Sequence, residues 1–163
     1  MKIGVIADTH IPVSAEKLPD KVYEVFKSCD MIIHAGDLVD LSVISDLEKL
    51  AETKAVYGNM DSAKVREKLP EKLVIEAAGK KIGVFHGRGP GFKVKQLAKE
   101  AFKEKVDIII FAHSHTPVNE EEDGTLYFNP GSPTDVVFAP YKSFGLIEIN
   151  GDDIRAQIIK LED

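Results

Sequence analysis

A single cysteine, Cys29, is all the thiol chemistry the sequence offers. One thiol cannot close an internal disulfide, and its place just before Met31-Ile32-Ile33 marks it as a small buried hydrophobe in a reducing, cytoplasmic setting. Also missing is a surplus of positive charge. The 21 Lys and Arg stand against 27 Asp and Glu, for a net charge of -6, which excludes the broad cationic surface that general nucleic-acid binding needs. No apolar run approaches the roughly 20 residues of a membrane span, and Met1-Lys2-Ile3-Gly4 leads straight into a strand-like segment rather than a hydrophobic leader. No membrane contact is expected. Amides are scarce too: four Asn and two Gln against 29% charged residues lean towards a thermophilic source.

What is present suffices for one core. The 163 residues, 44% of them hydrophobic, are close to the size of one domain, expected here over residues 1–163. Lys2 to Ala7 runs without alternation, as a strand buried on both faces does, and delivers Asp8-Thr9-His10 at its end. Asp20 to Ser28 has helical spacing in Val22, Val25 and Phe26, and Met31 to Ala35 reads as a second buried strand ending in Gly36-Asp37. Asp40 is placed to cap a helix from Leu41 to Ala51, and Lys54 to Tyr57 reads as a third strand ending in Gly58-Asn59-Met60-Asp61. Strand, helix and strand in repetition imply right-handed crossovers and parallel pairing.

From Lys72 the character changes. Lys72 to Glu76 and Lys81 to Phe85 form a predicted hairpin across Ala77-Ala78-Gly79-Lys80, ending in His86-Gly87. A helix is expected near Val94 to Lys103, and a buried strand over Asp107 to Ala112 ends in His113-Ser114-His115. The remainder reads as β: Pro117 to Glu122, Thr125 to Phe128, Phe144 to Ile149 and Ile154 to Lys160, with turns at Asp123-Gly124 and Asn150-Gly151. The expected fold class is α/β, a four-layer α/β/β/α sandwich of two facing mixed sheets with helices outside.

Five successive strand ends thus carry Asp8 and His10, Asp37, Asn59 and Asp61, His86, and His113 and His115. Singly, each has a plainer explanation: Asp8 could cap a turn, Asn59 could supply a left-handed backbone, and a lone His is more often structural than a ligand. Jointly they make a site, because four of the five histidines fall at these tips and α/β folds gather function beyond the carboxyl ends of their strands. Carboxylate, amide oxygen and imidazole suit Mn, Fe, Ni, Co or Zn better than an all-oxygen Mg or Ca cage. On an extended segment, Asp-x-His and His-x-His each place two ligands on one side, so that each pair could converge on one centre. There are enough ligands for two divalent ions. Two cations about 4 Å apart hold a phosphate between them and activate a trapped water for in-line attack at phosphorus, with no nucleophilic side chain needed.

Taken in order, Asp8-Thr9-His10, Gly36-Asp37, Gly58-Asn59-Met60-Asp61, His86-Gly87 and His113-Ser114-His115 resemble the five motifs of the calcineurin-like metallophosphoesterases. His34-Ala35-Gly36-Asp37, Asn129-Pro130-Gly131-Ser132 and the small size are similar to the compact prokaryotic phosphodiesterase branch, to which the small retromer subunit of eukaryotes is related. The resemblance implies one metal among Asp8, His10, Asp37 and His115 and a second among Asp37, Asn59, His86 and His113, with Asp37 bridging and Asn59 also contacting substrate. It implies a phosphoesterase, favouring diesters, in which a hydroxide bridging the metals attacks. In many relatives position 60 is a His that assists the leaving group and that the next Asp orients. Met60 cannot donate a proton, so activity biased to good leaving groups is expected, with Asp61 left a supporting part. The same resemblance supplies two alternatives: a catalytically silent, retromer-like protein-binding scaffold, and a phosphomonoesterase.

Other residues carry less. Arg88 could contact substrate phosphate or sit on a solvated face with the lysines between Lys80 and Lys105. Gly87-Arg88-Gly89-Pro90-Gly91 lacks the Gly-Lys-Ser/Thr ending of a P-loop. His34 sits one residue back from its tip and reads as a packed histidine supporting the ligands. Specificity is expected from the loops Ile11 to Pro19 and Pro133 to Tyr141, and Val136-Val137-Phe138 or an exposed edge could serve a homo-oligomer.

Overall fold

Strand β1 (Lys2–Ile6) lies at the centre of a sheet, and Ile3, Val5 and Ile6 lose all contact with solvent. The computed structural model describes residues 1–162, so Asp163, the last residue of the expected domain span, lies outside the described residues. Parallel to β1 run β2 (Met31–His34) and then β3 (Glu52–Ala55) at one edge. On its other side β9 (Ser143–Asn150) and β10 (Asp153–Lys160) pair antiparallel. The second sheet has the order β4, β5, β6, β8, β7: β4 (Lys72–Ala77), β5 (Lys80–Phe85), β6 (Ile108–Phe111), β7 (Val118–Glu122) and β8 (Thr125–Asn129). Its three inner strands are parallel and its two edges antiparallel.

The apolar side chains sort into three layers of core. Between the sheets pack Ile3, Val5, Ile33, Val84, Ile110, Phe128 and Ile147. Outside the first sheet, helices α1 (Asp20–Phe26), α2 (Ser42–Glu48) and α3 (Ala63–Lys68) bury Val22, Phe26, Leu47 and Val65 against Ile6, Ile32 and Phe144. Outside the second, α4 (Val94–Ala101) sets Val94 and Ala98 against Phe85, Ile109 and Phe111. This is the four-layer α/β/β/α sandwich expected from the sequence. Cys29 is a buried free thiol whose pKa burial pushes up to about 11. Lysines of the α4 region are tied to acids, Lys95 to Glu120 and Lys99 to Glu122 at 2.6 Å each, so that face is a paired, solvated one.

Three details differ from expectation. Strand β3 begins two residues early, because an edge strand half open to water does not need apolar side chains and Glu52 and Thr53 pair with Met31 and Ile32. The helix α3 was not anticipated: it has one buried residue, Val65, too few to show a period, although Ser62 caps it by accepting from the Val65 N–H. The last hairpin turns on Gly151-Asp152 rather than Asn150-Gly151, since Asn150 still pairs with Asp153.

Candidate metal centre

Strands β1, β2 and β3 of one sheet and β5, β6 and β8 of the other end at the same side of the sandwich, and their following loops meet there. The segments Asp8-Thr9-His10 and His113-Ser114-His115 are not extended. Asp8 (φ 50°), His10 (φ 45°), Asp37 (φ 57°), His113 (φ 68°) and His115 (φ 55°) all take left-handed backbone, a conformation that costs an L-residue about 1–2 kcal/mol each. Backbone bonds between the tips hold it: Asp8 N–H donates to Gly36 O and His10 N–H to Asp37 O, both at 3.0 Å, while His113 N–H donates to Asp8 Oδ2 at 3.1 Å. The alternation expected of extended pairs is therefore replaced by turns.

Two groups of ligand atoms result. Asp8, His10 and His115 form one and Asp37, His86 and His113 the other, with the atoms of each group within 4.8 Å of one another. Asp8 Oδ1 lies 3.8 Å from His10 Nε2 and 3.4 Å from His115 Nε2. Asp37 Oδ2 lies 3.2 Å from His86 Nε2 and 3.7 Å from His10 Nε2, so this carboxylate faces both groups. Asn59 Oδ1 joins the second, 3.2 Å from His86 Nε2 and 2.9 Å from His113 Nδ1. His113 and His115, expected to converge on one centre if extended, are split between the two.

The far nitrogen of three of the four candidate ligand rings is fixed by an acceptor. His86 Nδ1–H donates to Ala35 O and His113 Nε2–H to Gly89 O, both at 2.8 Å, while His115 Nδ1–H donates to Asp135 Oδ2. These bonds choose the tautomer that turns the other nitrogen into the site. Burial opposes a proton on His115, but hydrogen bonding and charge from Asp8 and Asp135 win and raise its pKa to about 9. His86 is raised in the same sense, by Asp37 and Asp8 against burial. His34 is different: it is fully buried, accepts from the Gly36 N–H at Nδ1 and donates from Nε2 to Thr9 Oγ1, and burial drops its pKa to about 3. It is a neutral packing residue behind the tips.

The family profile described as "Calcineurin-like phosphoesterase superfamily domain" matches residues 1–152. The chain belongs to this superfamily. The probable metallophosphoesterase MJ0623 of Methanocaldococcus jannaschii is 40% identical over 168 residues, covering 100% of this chain and 83% of the relative. The phosphodiesterase MJ0936 of the same organism is 32% identical over 148 residues, covering 80% and 83%. Among solved structures, wild-type Vps29 of Entamoeba histolytica complexed with zinc superposes with a TM-score of 0.76 at 25% identity, covering 98% of this chain and 99% of that one.

The donors of the two groups fit cations, and the first group has polar atoms left without partners. Asp8 Oδ1 and His10 Nε2 are buried without a hydrogen-bonding partner, a state that costs about 1–3 kcal/mol per group unless a ligand completes it. Gly58 keeps space open at the second group, since a Cβ there would collide with Asp37 Oδ1 and stand 2.7 Å from His86 Nε2. The donor set of carboxylate, amide and imidazole fits a transition-metal ion.

The remaining candidates surround the two groups. Asp61 spends its oxygens on backbone, accepting from Asp37 N–H at 2.9 Å, Val39 N–H at 2.6 Å and Gly58 N–H at 2.7 Å. Arg88 is 72% exposed, lies 3.7 Å from Glu71, and lines with Asn59, His86 and Arg66 a second cavity beside the cleft. Met60 touches the site through its backbone, donating to Asp37 Oδ1 at 2.7 Å, while its side chain lines the cleft. Two residues escaped the sequence reading. Asp135, on the loop after β8, orients His115. Arg66, on α3, donates to Asn59 O at 2.7 Å and Asp61 O at 3.0 Å and so fastens the loop that carries Asn59.

Proposed function

We propose that the protein is a dinuclear metal-dependent phosphodiesterase. The observation that carries this reading is Asp37, one carboxylate facing two groups of metal-competent donors at the floor of a cleft of about 500 Å³. Asp8, His10, Asp37 and His115 would hold one divalent ion, and Asp37, Asn59, His86 and His113 a second; Mn, Ni, Co, Fe and Zn all suit these donors. Bound divalent ions supply Lewis acidity at phosphorus and bring the pKa of water into a range where hydroxide can attack near neutral pH. The chain's residues place the substrate around that chemistry. Asn59, with Oδ1 turned to His86 and His113, is left with its amide N–H groups to donate to a phosphoryl oxygen.

Arg66 and Arg88 lie in the adjoining cavity beside Asn59 and His86, but among the described residues no Lys or Arg lines the cleft itself. That favours the single negative charge of a diester over the double charge of a monoester. Met60 offers no proton to a departing alkoxide, so turnover should be best with esters of acidic alcohols or phenols. The phosphodiesterase MJ0936 supports the same reading as a relative.

The test is hydrolysis of bis-p-nitrophenyl phosphate by metal-stripped protein, with Mn, Ni, Co, Zn or Mg restored separately and p-nitrophenyl phosphate run beside it. Diester turnover that needs a metal, exceeds monoester turnover and is lost with metal binding in Asp37→Ala is the expected result. Full activity in Asp37→Ala at controlled metal would end the mechanism. A second reading, a catalytically silent protein-binding scaffold, is favoured by Met60 and by exposed apolar residues beside the cleft. It predicts two ions bound, no turnover with any of them, and one stoichiometric protein partner.

A further inference from the structure

The cleft has a polar floor and an apolar wall, and the wall is exposed. Among the described residues eight large hydrophobics are open to solvent; apart from Val74 on β4, they lie at the site end of the sandwich, Phe92 in a short 3-10 helix and the others, among them Met60 (55% exposed), Val137 (74%) and Phe138 (78%), in loops. Apolar side chains held in water next to a polar site mark a surface that something covers. Met60, Val137 and Phe138 all line the same cleft as His10, Asp37 and His115.

The wall is built rather than loose. Asp135 Oδ1 accepts the Val137 N–H at 2.8 Å, and Asp135 Oδ2 accepts the Phe138 N–H at 3.1 Å and the Ala139 N–H at 2.9 Å. The same carboxylate takes the Nδ1–H of His115, and the Phe138 ring meets the His115 ring edge-on at 6.2 Å between centroids. One residue thereby fixes the wall in register with a metal-competent imidazole, which is the preorganisation a specific ligand needs. With no Lys or Arg among the described lining residues, the wall itself offers no fixed cation to a second phosphate or a carboxylate.

We propose that this wall is a subsite for one ester group of the substrate, and that the group is uncharged and aromatic or bulky and apolar. The proposal rests on the phosphodiesterase reading for its biological meaning but has a test of its own. Phenylphosphonate and methylphosphonate carry the same phosphorus head and differ in the organic group alone, so calorimetric titration of the manganese-loaded protein isolates the wall. Phenylphosphonate should bind at least ten-fold tighter, about the effect of burying a few carbons. The exposed pair Val137→Ser and Phe138→Ser, which removes little packing, should bring the two affinities to within about two-fold by weakening the phenyl compound.

Equal affinities in the parent protein, no binding of either compound, or a preference that the double substitution leaves intact would each overturn the subsite. So would a double variant that leaves the preference unmoved while converting an oligomer to a monomer in sedimentation, since the wall would then face a second copy. A phenyl preference without diester turnover would refute the proposed activity and leave the subsite standing. Diester turnover with no phenyl preference would do the reverse.

Discussion

At the scale of the residue, Asp61 shows how a carboxylate can matter to a site without entering it. Its oxygens collect N–H groups from the end of β2 and the end of β3, including that of Val39, a β-branched residue held at φ 75°. Removing them strands three backbone donors, two of them, at Asp37 and Gly58, on buried residues. Asp61→Ala should cost about 3–5 kcal/mol in urea unfolding, and Asp61→Asn, which keeps one acceptor, clearly less. A loss under about 1 kcal/mol in the alanine variant would show that water replaces the carboxylate. The candidate ligands were legible because each stands within a few residues of an apolar run that announces a buried strand. Asp135 was not, because it lies six positions beyond the last residue of β8 in a loop without period, and its partner His115 is brought to it by tertiary folding alone. The direction of Arg88 was not legible for the complementary reason: adjacency to His86-Gly87 says nothing of it, and with Gly87 at φ 103° and Gly89 at φ 73° the side chain lies by Glu71, at a cavity it shares with Asn59 and His86.

At the scale of the element, periodicity gave the buried strands and left their edges uncertain. Strands β1, β2 and β6 are buried throughout or nearly so and read plainly, whereas β3 and α3 have few buried side chains and depend on neighbours for their limits. The hairpin between β4 and β5 offers a prediction. Ala78 (φ 49°) and Gly79 (φ 77°) form a two-residue turn with both residues left-handed, as type I′ requires. Ala78 is exposed and supplies no compensating contact for that backbone. Ala78→Asn should therefore stabilise the protein by about 0.5–1 kcal/mol, visible as a higher urea midpoint at an unchanged slope. An unchanged midpoint would mean that the turn's strain is relieved elsewhere.

At the scale of the whole molecule, protons and metal ions compete for one set of groups. His115 has a folded pKa of about 9 against an ordinary 6.5. A raised histidine stabilises the fold fully below its unfolded pKa, and that contribution fades as pH climbs through the folded value. Metal-stripped protein should thus lose about 1–2 kcal/mol of stability from His115 between about pH 6.5 and pH 9, solvent screening taking part of the full shift. Metal affinity should rise across the same interval, because the proton must leave before Nε2 can ligate, and calorimetry in buffers of different ionisation enthalpy should register its release. Stability that is flat or rising with pH in the stripped protein would contradict the assignment of charge to His115.

The two-residue turns have a practical meaning of their own. Ala78-Gly79 precedes β5, Asp123-Gly124 precedes β8, and Gly151-Asp152 follows β9 beside the start of β1, so all three stand at the end of the sandwich opposite the cleft. Lys80 and Asp152 even join two of them across the seam at 2.9 Å. Exposed turns of this kind accept insertions that a packed strand would reject. The molecule therefore comes with a handle: a dye, a surface tether or a fused module attached there would leave the cleft pointing outward and untouched, so that an immobilised array of this protein would present every site to the solution.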